Sequence, residues 1–302
     1  MNILVTGAAG FIGTHLWDEL ERHGHRVIPA DRRFGGDLRD PGNVRDLFTW
    51  ADEHGVDHVV HLAAKVGRLN GEDDLTATVA DNATMTTLIA RECGQRRIPL
   101  AYASTSEVYG DLGEQLARED GPMQLPHNLY GLSKRWGEET CQLYAPDGLL
   151  LLRFSMPYGP GHPPGRGRAA LTNFLHQALH GEPIPVHIGS ERAWCWVGDT
   201  VRAVRMLLEQ GETGAWNIGR DDNPVPMRRV AELACDLVGA PHDLISDVPA
   251  PGRQTVVKRL STRKLRQLGW EPTVDLEEGM RRVLAYVQKF DRHGNQRERT
   301  AA

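Results

Sequence analysis

The feature that most constrains the fold is a glycine-rich turn between an apolar run and an amphipathic segment at the start of the chain. Residues 3–5 are apolar, the loop Gly7-Ala8-Ala9-Gly10-Phe11-Ile12-Gly13 follows, and residues 10–23 have helical periodicity. A second apolar run, residues 26–30, ends at Asp31. Such glycines permit a tight turn and a close backbone approach to a phosphate at the helix N-terminus. This order predicts a βαβ unit that binds a dinucleotide.

Apolar runs continue to alternate with amphipathic segments through the first half of the chain. Asp40 directly precedes the second of these helical segments and suits an N-terminal cap. Strands this apolar are covered on both faces, so the predicted fold class is α/β, a Rossmann-like doubly wound parallel sheet. The further strands are expected over 58–62, 99–103 and 148–154, and the further helices over 41–54, 79–95 and 133–144.

The regular alternation ends after residue 155, where the run 157–165 is rich in proline and glycine. We predict an NAD-binding domain over 1–155 and a smaller C-terminal α/β substrate-binding lobe over 156–288, which can interleave with the first domain. A polar, flexible tail is expected over 289–302. The shorter helices expected in the second half cover 171–180, 197–210, 227–238 and 276–287.

Charge and composition exclude several classes of partner. Lys and Arg number 35 against 40 Asp and Glu, so the net charge is -5 and no overall basic field suits nucleic acid or an anionic membrane. The chain has no membrane-length apolar run and no room for a signal peptide before the first strand. Its cysteines are far apart and form no CxxC pair, which is typical of reduced thiols. We therefore expect a soluble cytoplasmic protein. The cysteines are Cys93, Cys141, Cys195 and Cys235.

Asp31 bears on which dinucleotide is bound. A carboxylate at this position bonds the ribose hydroxyls and repels the 2′-phosphate of NADP, although Arg32 and Arg33 follow at once and can pair with that phosphate. We therefore predict NAD as the cofactor. Asp37 and Leu38 follow in the same segment and can contact the adenine.

A second constellation follows the predicted fourth strand. Tyr130 and Lys134 are four residues apart, so they share one face of a helix. The lysine ammonium, together with an oxidised nicotinamide, lowers the pKa of the phenol and makes tyrosinate a usable base. Thr105 lies at the carboxyl edge of the sheet, where ligands bind in such folds. Its hydroxyl can share a substrate alcohol with Tyr130, so these groups can take a proton from a secondary alcohol.

Several further motifs occur in a fixed order along residues 1–288. With them, the chain resembles the extended short-chain dehydrogenases/reductases of the NAD-dependent nucleotide-sugar epimerase/dehydratase type. The resemblance implies a nucleotide-sugar substrate, with UDP expected, and a homodimer formed through the helices at 79–95 and 133–144. The motifs are Asp37-Leu38, His61-Leu62-Ala63-Ala64, the run 104–110, the Tyr130–Lys134 pair, Tyr158-Gly159-Pro160, the run 192–199 and Leu268-Gly269-Trp270-Glu271-Pro272.

The predicted cofactor-binding residues come from the glycine loop, the end of the second strand and its following segment, the loop after the third strand, and the Tyr–Lys pair. They are Gly7, Gly10, Phe11, Ile12, Gly13, Asp31, Arg32, Asp37, Leu38, Leu62, Ala63, Ala64, Tyr130 and Lys134.

Within the family, the runs 104–110 and 173–183 are similar to UDP-glucuronic acid decarboxylases. By that resemblance Thr105, Tyr130 and Lys134 carry the redox step, and Ser106 and Glu107 serve the step at C5 of the sugar. In the resembling dehydratases an Asp stands at the position of Ser106, and a serine hydroxyl is too weak an acid to protonate a departing hydroxyl. A β-keto acid loses CO2 without such an acid. The expected reaction is therefore NAD-dependent decarboxylation of UDP-glucuronic acid to UDP-xylose, the 4-keto pentose, or both.

A nucleotide diphosphate needs local cations even in an acidic protein. By the resemblance, Arg192 meets the diphosphate. Trp194 and Trp196 alternate at strand spacing and are expected to pack the lobe rather than stack a base. Arg166 and Arg168 are weaker candidates, equally explained as solvated surface residues. The predicted substrate-binding residues are Lys65, Asn173, His187, Arg192 and Arg253.

Three departures from the decarboxylase pattern keep other reactions open. The loop 65–71 resembles that of GDP-sugar epimerase-reductases, Met156 replaces a substrate-binding Asn, and His187 replaces an aromatic residue that packs on uracil. A nucleotide-sugar 4-epimerase uses the same redox pair and is the main alternative. A catalytically silent NAD-binding regulatory protein is the other. The histidines show no ligand spacing with cysteines or paired carboxylates, so no metal site is predicted.

Overall fold

The computed structural model describes residues 1–67, 72–165, 170–222, 224–249 and 258–300, with side chains placed as far as Arg292. A six-stranded parallel sheet lies at its centre, in the order β10-β5-β4-β3-β1-β2. The strand order reverses between β1 and β3, and ligands bind at such a point in open α/β sheets. These strands are β1 Asn2–Thr6, β2 Arg26–Ala30, β3 His58–His61, β4 Leu100–Thr105, β5 Leu150–Phe154 and β10 Gly214–Ile218.

Helices cover both faces of this sheet, which confirms the doubly wound α/β class. Helices α1 and α7 pack on one face, where the core includes Ile3, Leu16 and Val201. On the opposite face α2, α4 and α5 pack around Phe48 and Ile89. These helices are α1 Phe11–Arg22, α2 Pro41–Glu53, α4 Met85–Arg96, α5 Leu129–Tyr144 and α7 Val197–Glu209.

The helix expected over 79–95 has a different course. It begins as α3, Leu75–Val79, passes through a π-helical turn at Ala80–Thr84, and continues as α4. Helix α5 likewise begins before the expected residue 133, because the Asn128 side chain accepts a hydrogen bond from Gly131 N at 2.8 Å and caps it. Asp40 caps α2 as predicted.

The second half of the chain builds a smaller α/β lobe with its own core. Leu175, Val230 and Val283 are buried there, and Trp194 packs with them as predicted. Strand β10 leaves this half and pairs with β5, so the central sheet draws on both halves. The lobe elements are β6 Pro157–Tyr158, α6 Ala170–His180, β7 Ile184–His187, β8 Glu191–Arg192, β9 Cys195–Trp196, β11 Val225–Pro226, α8 Met227–Val238, β12 Ile245–Val248, α9 Arg263–Gln267 and α10 Leu276–Thr300.

Helix α10 extends through most of the segment for which the sequence predicts a tail. The four cysteines are buried and unpaired, in agreement with the expected free thiols. None of the helices in the described part of the chain has the length and apolar character needed to span a bilayer.

Candidate active site

The glycine loop is packed so closely that side chains would collide. Gly7 has a φ of 70°, and a Cβ there would lie 2.7 Å from the Ala63 nitrogen. A Cβ on Gly13 would lie 2.2 Å from the Gly7 carbonyl oxygen. Gly10 precedes α1 and makes no side-chain cap hydrogen bond, so the first N–H groups of the helix can bind a phosphate. The loop fits the predicted pyrophosphate site. Phe11 and Ile12 begin α1 and lie partly buried against the core.

Asp31 lies at the loop, where a ribose carboxylate is expected. Its Oδ2 accepts a hydrogen bond from Ala9 N at 3.2 Å, and its Oδ1 accepts one from Arg33 N at 3.1 Å. The Arg32 guanidinium instead donates to Asp81 Oδ2 at 3.2 Å. Asp31 and the Arg33 guanidinium, which donates to the Ala9 carbonyl at 3.1 Å, therefore both contact the glycine loop, and Arg32 is engaged elsewhere.

The two residues expected near the adenine have different environments. Arg39 Nε donates to both carboxylate oxygens of Asp37 at 2.9 Å. The hydrogen bond from Arg39 lowers the pKa of Asp37 to about 2, so this carboxylate is charged. Leu38 is buried in the core beside Val44. The pair therefore offers a charged group and an apolar wall rather than two free polar contacts.

The loop after β3 is fastened to the end of β1. Leu62 N donates to Thr6 O at 3.1 Å, and Ala63 N donates to Thr6 Oγ1 at 3.3 Å. His61 Nδ1 lies 2.6 Å from the same hydroxyl. Burial lowers the pKa of His61 to about 3, with a further contribution from Lys134, so the imidazole is neutral. The predicted cofactor residues Leu62, Ala63 and Ala64 follow directly from this anchor.

The redox pair meets at the carboxyl end of β4. Thr105 ends that strand, and its hydroxyl hydrogen-bonds Tyr130 in the first turn of α5. Lys134 lies one turn further along α5, is only 2% exposed, and holds its ammonium 4.3 Å from the centre of the Tyr102 ring. Burial lowers the pKa of Lys134 to about 7. The structure thus places Thr105 beside Tyr130, with Lys134 one turn further along the same helix, and their role in a redox step stays a prediction.

The pKa of Tyr130 differs from the expected direction when only protein groups surround it. Burial raises this pKa well above 10, the Glu107 carboxylate raises it further, and the Thr105 hydroxyl partly offsets both. Lys134 does not contribute to the shift. The lowering expected for catalysis therefore has to come from the positive charge of the oxidised nicotinamide.

Glu107 lies in a cluster of polar and cationic groups beside the redox pair. The Lys258 ammonium contacts Glu107 Oε1, and the Asn128 amide donates to Oε2 at 3.3 Å. Burial opposes ionisation of Glu107, but Lys258, Asn128 and Arg192 together hold its pKa below the usual value. Glu107 is therefore a paired carboxylate and not an acid. Ser106 lines a small cavity with Lys258 on the same side.

A buried ion pair lies behind the catalytic helix. Arg153 of β5 donates to Glu138 of α5 through Nη2 at 2.8 Å and Nε at 2.9 Å, and Ser104 also contacts Glu138. Arg153 Nη1 donates to Tyr109 Oη at 2.9 Å, and Tyr109 donates to Asn217 of β10 at 2.7 Å. Ser104 and Tyr109 flank the run that carries Thr105, Ser106 and Glu107, so this network fixes the position of that run.

The predicted substrate residues are distributed unevenly. Arg192 acts on Glu107 electrostatically, so it belongs to the site. Lys65 Nζ is 3.3 Å from Asp74 Oδ2, and Asn173 exchanges two hydrogen bonds with the backbone of Gly165. His187 ends β7 in the lobe. Arg253, Arg166 and Arg168 lie outside the described residues.

Sequence reasoning missed Asn128 and Lys258. Asn128 carries a readable signal, since an Asn just before the helix of a Tyr–Lys pair suits an N-terminal cap. Lys258 carries none, because it is 151 residues from Glu107 along the chain. Only the tertiary fold brings that ammonium to the carboxylate.

Comparison with known proteins gives consistent results. Residues 3–219 match the family model described as the NAD dependent epimerase/dehydratase family. The chain is 30% identical to UDP-glucuronic acid decarboxylase 1 of Xenopus tropicalis, over 96% of this chain and 73% of that protein.

Two solved structures show the same fold over most of the chain. The UDP-glucose 4-epimerase of Thermus thermophilus, in complex with NAD, superposes with a TM-score of 0.84 at 27% identity, covering 95% of this chain and 99% of that one. MoeE5 in complex with UDP-glucuronic acid and NAD has a TM-score of 0.84 at 27% identity, covering 96% and 99%. Together with the glycine loop, Asp31 and the Tyr130–Lys134 pair, the family match shows that this chain belongs to the NAD-dependent epimerase/dehydratase family.

Proposed function

We propose that the protein is an NAD-dependent decarboxylase of UDP-glucuronic acid, giving UDP-xylose, the UDP-4-keto-pentose, or both. The observation that carries the proposal is the environment of Glu107. Lys258 and Arg192 keep this carboxylate ionised, so neither it nor Ser106 can protonate a departing hydroxyl. A 4,6-dehydratase needs such an acid, whereas loss of CO2 does not.

The charges around Glu107 suit a substrate with a carboxylate at C5. Two cations, Lys258 and Arg192, act on the Glu107 carboxylate beside the redox pair. A cationic environment of this kind suits a glucuronate carboxylate better than the hydroxymethyl group of a neutral hexose. Relatives with UDP-glucuronic acid in their names or titles support the same substrate class.

The residues divide the reaction between them. Tyr130, as tyrosinate, takes the proton of the C4 hydroxyl while Thr105 hydrogen-bonds the same oxygen. Bound NAD, held by the glycine loop and Asp31, supplies the hydride acceptor and the positive charge that favours tyrosinate. In the resulting β-keto acid the C5–C6 bond breaks, CO2 leaves, and the electron pair moves to the C4 oxygen. The resulting enolate takes up a proton at C5, beside the Glu107–Lys258 pair, which restores the C4 ketone and gives the UDP-4-keto-pentose. For UDP-xylose, C4 then takes the hydride back from the reduced cofactor while Tyr130 returns its proton to the C4 oxygen.

A nucleotide-sugar 4-epimerase is the second candidate, favoured by the similarity to a UDP-glucose 4-epimerase. The same Tyr130 and Thr105 chemistry would serve it. The difference lies in the fate of the keto sugar, which turns over and is reduced on its other face without loss of carbon. Glu107 would then orient the sugar and have no part in proton delivery.

The test is incubation of the purified protein with NAD and UDP-glucuronate labelled with 13C at C6. We expect labelled CO2 and a nucleotide product lighter by one CO2 in mass spectrometry. Parallel incubations with UDP-glucose and unlabelled UDP-glucuronate, read by NMR at C4, detect epimerisation. Inversion at C4 with all carbons retained would overturn the decarboxylase proposal in favour of a 4-epimerase. No turnover of any of these sugars, with the Tyr130→Phe variant behaving as wild type, would support the silent regulatory protein.

We also propose a homodimer formed through α5 and the α3–α4 segment. Leu132, Trp136 and Leu143 lie on one face of α5, with Trp136 59% and Leu143 72% exposed. Leu75 and Val79 of α3 are exposed as well. Such a patch is typical of a protein interface. Trp136→Glu should convert a dimer into a monomer in light scattering, whereas Trp50→Glu on α2 should not. A monomeric wild-type protein would overturn this proposal.

A further inference from the structure

We infer that Asp81 is a specificity-determining residue that selects NAD over NADP by withholding two arginines from the ribose 2′ position. Asp81 lies on the π-helical turn and is 5% exposed. It binds no part of the predicted glycine loop. Its carboxylate instead reaches the basic residues that follow Asp31.

Two arginines converge on this carboxylate. Arg32 Nη2 donates to Asp81 Oδ2 at 3.2 Å, and Arg39 Nη1 lies 3.6 Å from Oδ1. Oδ1 is buried and makes no full hydrogen bond. Arg39 is held from the other side by Asp37. Both guanidinium groups therefore have carboxylate partners within the protein.

The arginines near the ribose carboxylate are engaged within the protein. Arg32 and Arg39 pair with Asp81 and Asp37, and the Arg33 guanidinium donates to the Ala9 carbonyl at 3.1 Å. A 2′-phosphate brings about two negative charges and needs uncompensated cations. Asp31 alone would repel it, but an arginine directly after such an acid is the usual means of accepting the phosphate. By pairing with Arg32, Asp81 makes this arginine unavailable to a 2′-phosphate.

The π turn matters for this placement. Both Asp81 and its neighbour Asn82 point inward from it and are buried. Asn82 bonds the backbone of Lys65 at 2.8 Å and 2.9 Å, which fixes the turn against the loop after β3. Asp81 is thereby held rigidly, and a rigid carboxylate competes better for an arginine than a mobile one. This inference concerns cofactor choice only and does not depend on which sugar reaction is catalysed.

The test compares ADP-ribose with 2′-phospho-ADP-ribose as competitors of NAD, with displaced NAD quantified by chromatography. In Asp81→Asn we expect affinity for the phosphorylated ligand to rise about tenfold relative to ADP-ribose. Adding Arg32→Met should remove most of that gain. Asp52→Asn, which removes one of the two carboxylate partners of Arg96 outside the cofactor segment, should change affinity for neither ligand. Equal changes for both ligands, or a gain that persists in the double variant, would overturn the inference. Thermal unfolding of each variant verifies that it is folded.

A separate cluster carries a second inference. We infer a divalent metal site formed by His176 and His180 of α6 with Asp291 of α10. The two histidines are four residues apart and so share one helix face. Asp291 Oδ1 lies 3.6 Å from His176 Nε2, and Oδ2 lies 3.0 Å from His180 Nε2. The three potential ligand atoms lie within 4.8 Å of one another.

These separations suit zinc chemistry. Ligands about 2.0 Å from a tetrahedral ion are roughly 3.3 Å apart, close to the 3.0 Å between His180 Nε2 and Asp291 Oδ2. The cluster is partly exposed, so water can complete the coordination. The spacing of the histidines alone predicts no metal, because Asp291 is 111 residues from His180 and only the packing of α10 on α6 supplies it. A bound ion would fasten α10 to the lobe.

Titration with Co²⁺ followed by visible absorption tests this second site. We expect a tetrahedral spectrum that Zn²⁺ displaces, with Zn²⁺ raising the unfolding temperature of the protein. His180→Gln and Asp291→Asn should each weaken binding about tenfold or more, while His23→Gln, at an exposed histidine that follows α1, should not. Equal affinity in all variants would overturn the site, as would the absence of any tetrahedral spectrum.

Discussion

The two halves of the catalytic site are built differently. Thr105 ends a strand, and Tyr130 and Lys134 lie on one helix. Thr105 and Lys134 are buried, Tyr130 is partly buried, and all three come from one stretch of the chain. Glu107 and Lys258 are partly exposed and meet across 151 residues of chain. In the proposed function the first group carries the redox step, and the second lies near the substituent at C5. The difference teaches that the redox step is fixed by local structure, whereas the choice of reaction depends on long-range contacts.

The largest effect is expected from a mutation in the redox group formed by Thr105, Tyr130 and Lys134. Tyr130→Phe removes the group that moves the hydroxyl proton, so kcat should fall about a thousandfold. NAD binding and the unfolding temperature should stay near wild-type values, because the phenyl ring keeps its packing. Single-turnover kinetics and calorimetry measure both. A kcat within about tenfold of wild type would exclude Tyr130 as the base.

Mutation of the buried ion pair between Glu138 and Arg153, behind the catalytic helix, is expected to have the next largest effect. Glu138→Gln leaves the Arg153 charge buried without its partner, so the free energy of unfolding should fall by about 3–5 kcal/mol. The double variant Glu138→Leu, Arg153→Met should recover much of that loss, since it removes both charges. Denaturant unfolding gives the values. If the double variant is less stable than Glu138→Gln, the ion pair is not the source of the effect.

The burial of Lys134 predicts a specific dependence of stability on pH. Its pKa falls from 10.5 in the unfolded chain to about 7 in the fold, so between these values the unfolded state binds more protons. The free energy of unfolding therefore rises with pH across this window, and the gain is absent below about pH 7.

The rise should be about 2–3 kcal/mol between about pH 7 and pH 9. Subtracting the same curve for Lys134→Met isolates this contribution from other titrating groups. A difference between the two proteins that stays constant with pH would contradict the lowered pKa of Lys134.

A smaller effect is expected from a mutation of Lys258, the partner of Glu107. Lys258→Met should lower kcat/KM for the uronate about 10–100-fold, with little effect on stability. Because Lys258 helps to lower the pKa of Glu107, its loss should raise that pKa and move the acid limb of the pH–rate profile to higher pH. Arg259→Gln changes a neighbouring exposed cation and should leave both unchanged. If the acid limb of the Lys258→Met profile is unshifted, ionisation of Glu107 does not control the rate.

The smallest effect concerns backbone strain at two residues with left-handed conformations. Met156 has a φ of 48° and Arg97 a φ of 55°, both left-handed. Asn tolerates this region better, so Arg97→Asn at a helix end should stabilise the protein by about 0.5 kcal/mol. Met156 also packs against the lobe core, so Met156→Asn should gain less. Equal gains at both positions, measured by denaturant unfolding, would mean that the Met156 side chain contributes no packing.

Local patterns predicted the parts of the molecule that local physics determines. The glycine loop, Asp31, the Asp40 cap and the Tyr130–Lys134 pair are all readable within a few residues, and the alternating strands indicate the sheet class. The π turn at Ala80–Thr84 has no comparable periodic signal. Lys258 and Asp81 have partners far away in the chain, so their roles follow only from tertiary packing. The sequence gives the charge of each of these residues, but not the residue with which it pairs.

The position of β10 has a consequence for how the chain can be made and divided. This strand completes the sheet beside β5 and supplies Asn217, the acceptor for Tyr109. A ribosome must therefore synthesise past residue 218 before the edge of β5 is covered. A fragment ending near residue 155 would expose that edge as a template for association with other chains. We expect such a fragment to aggregate, so the NAD-binding half is not a portable module.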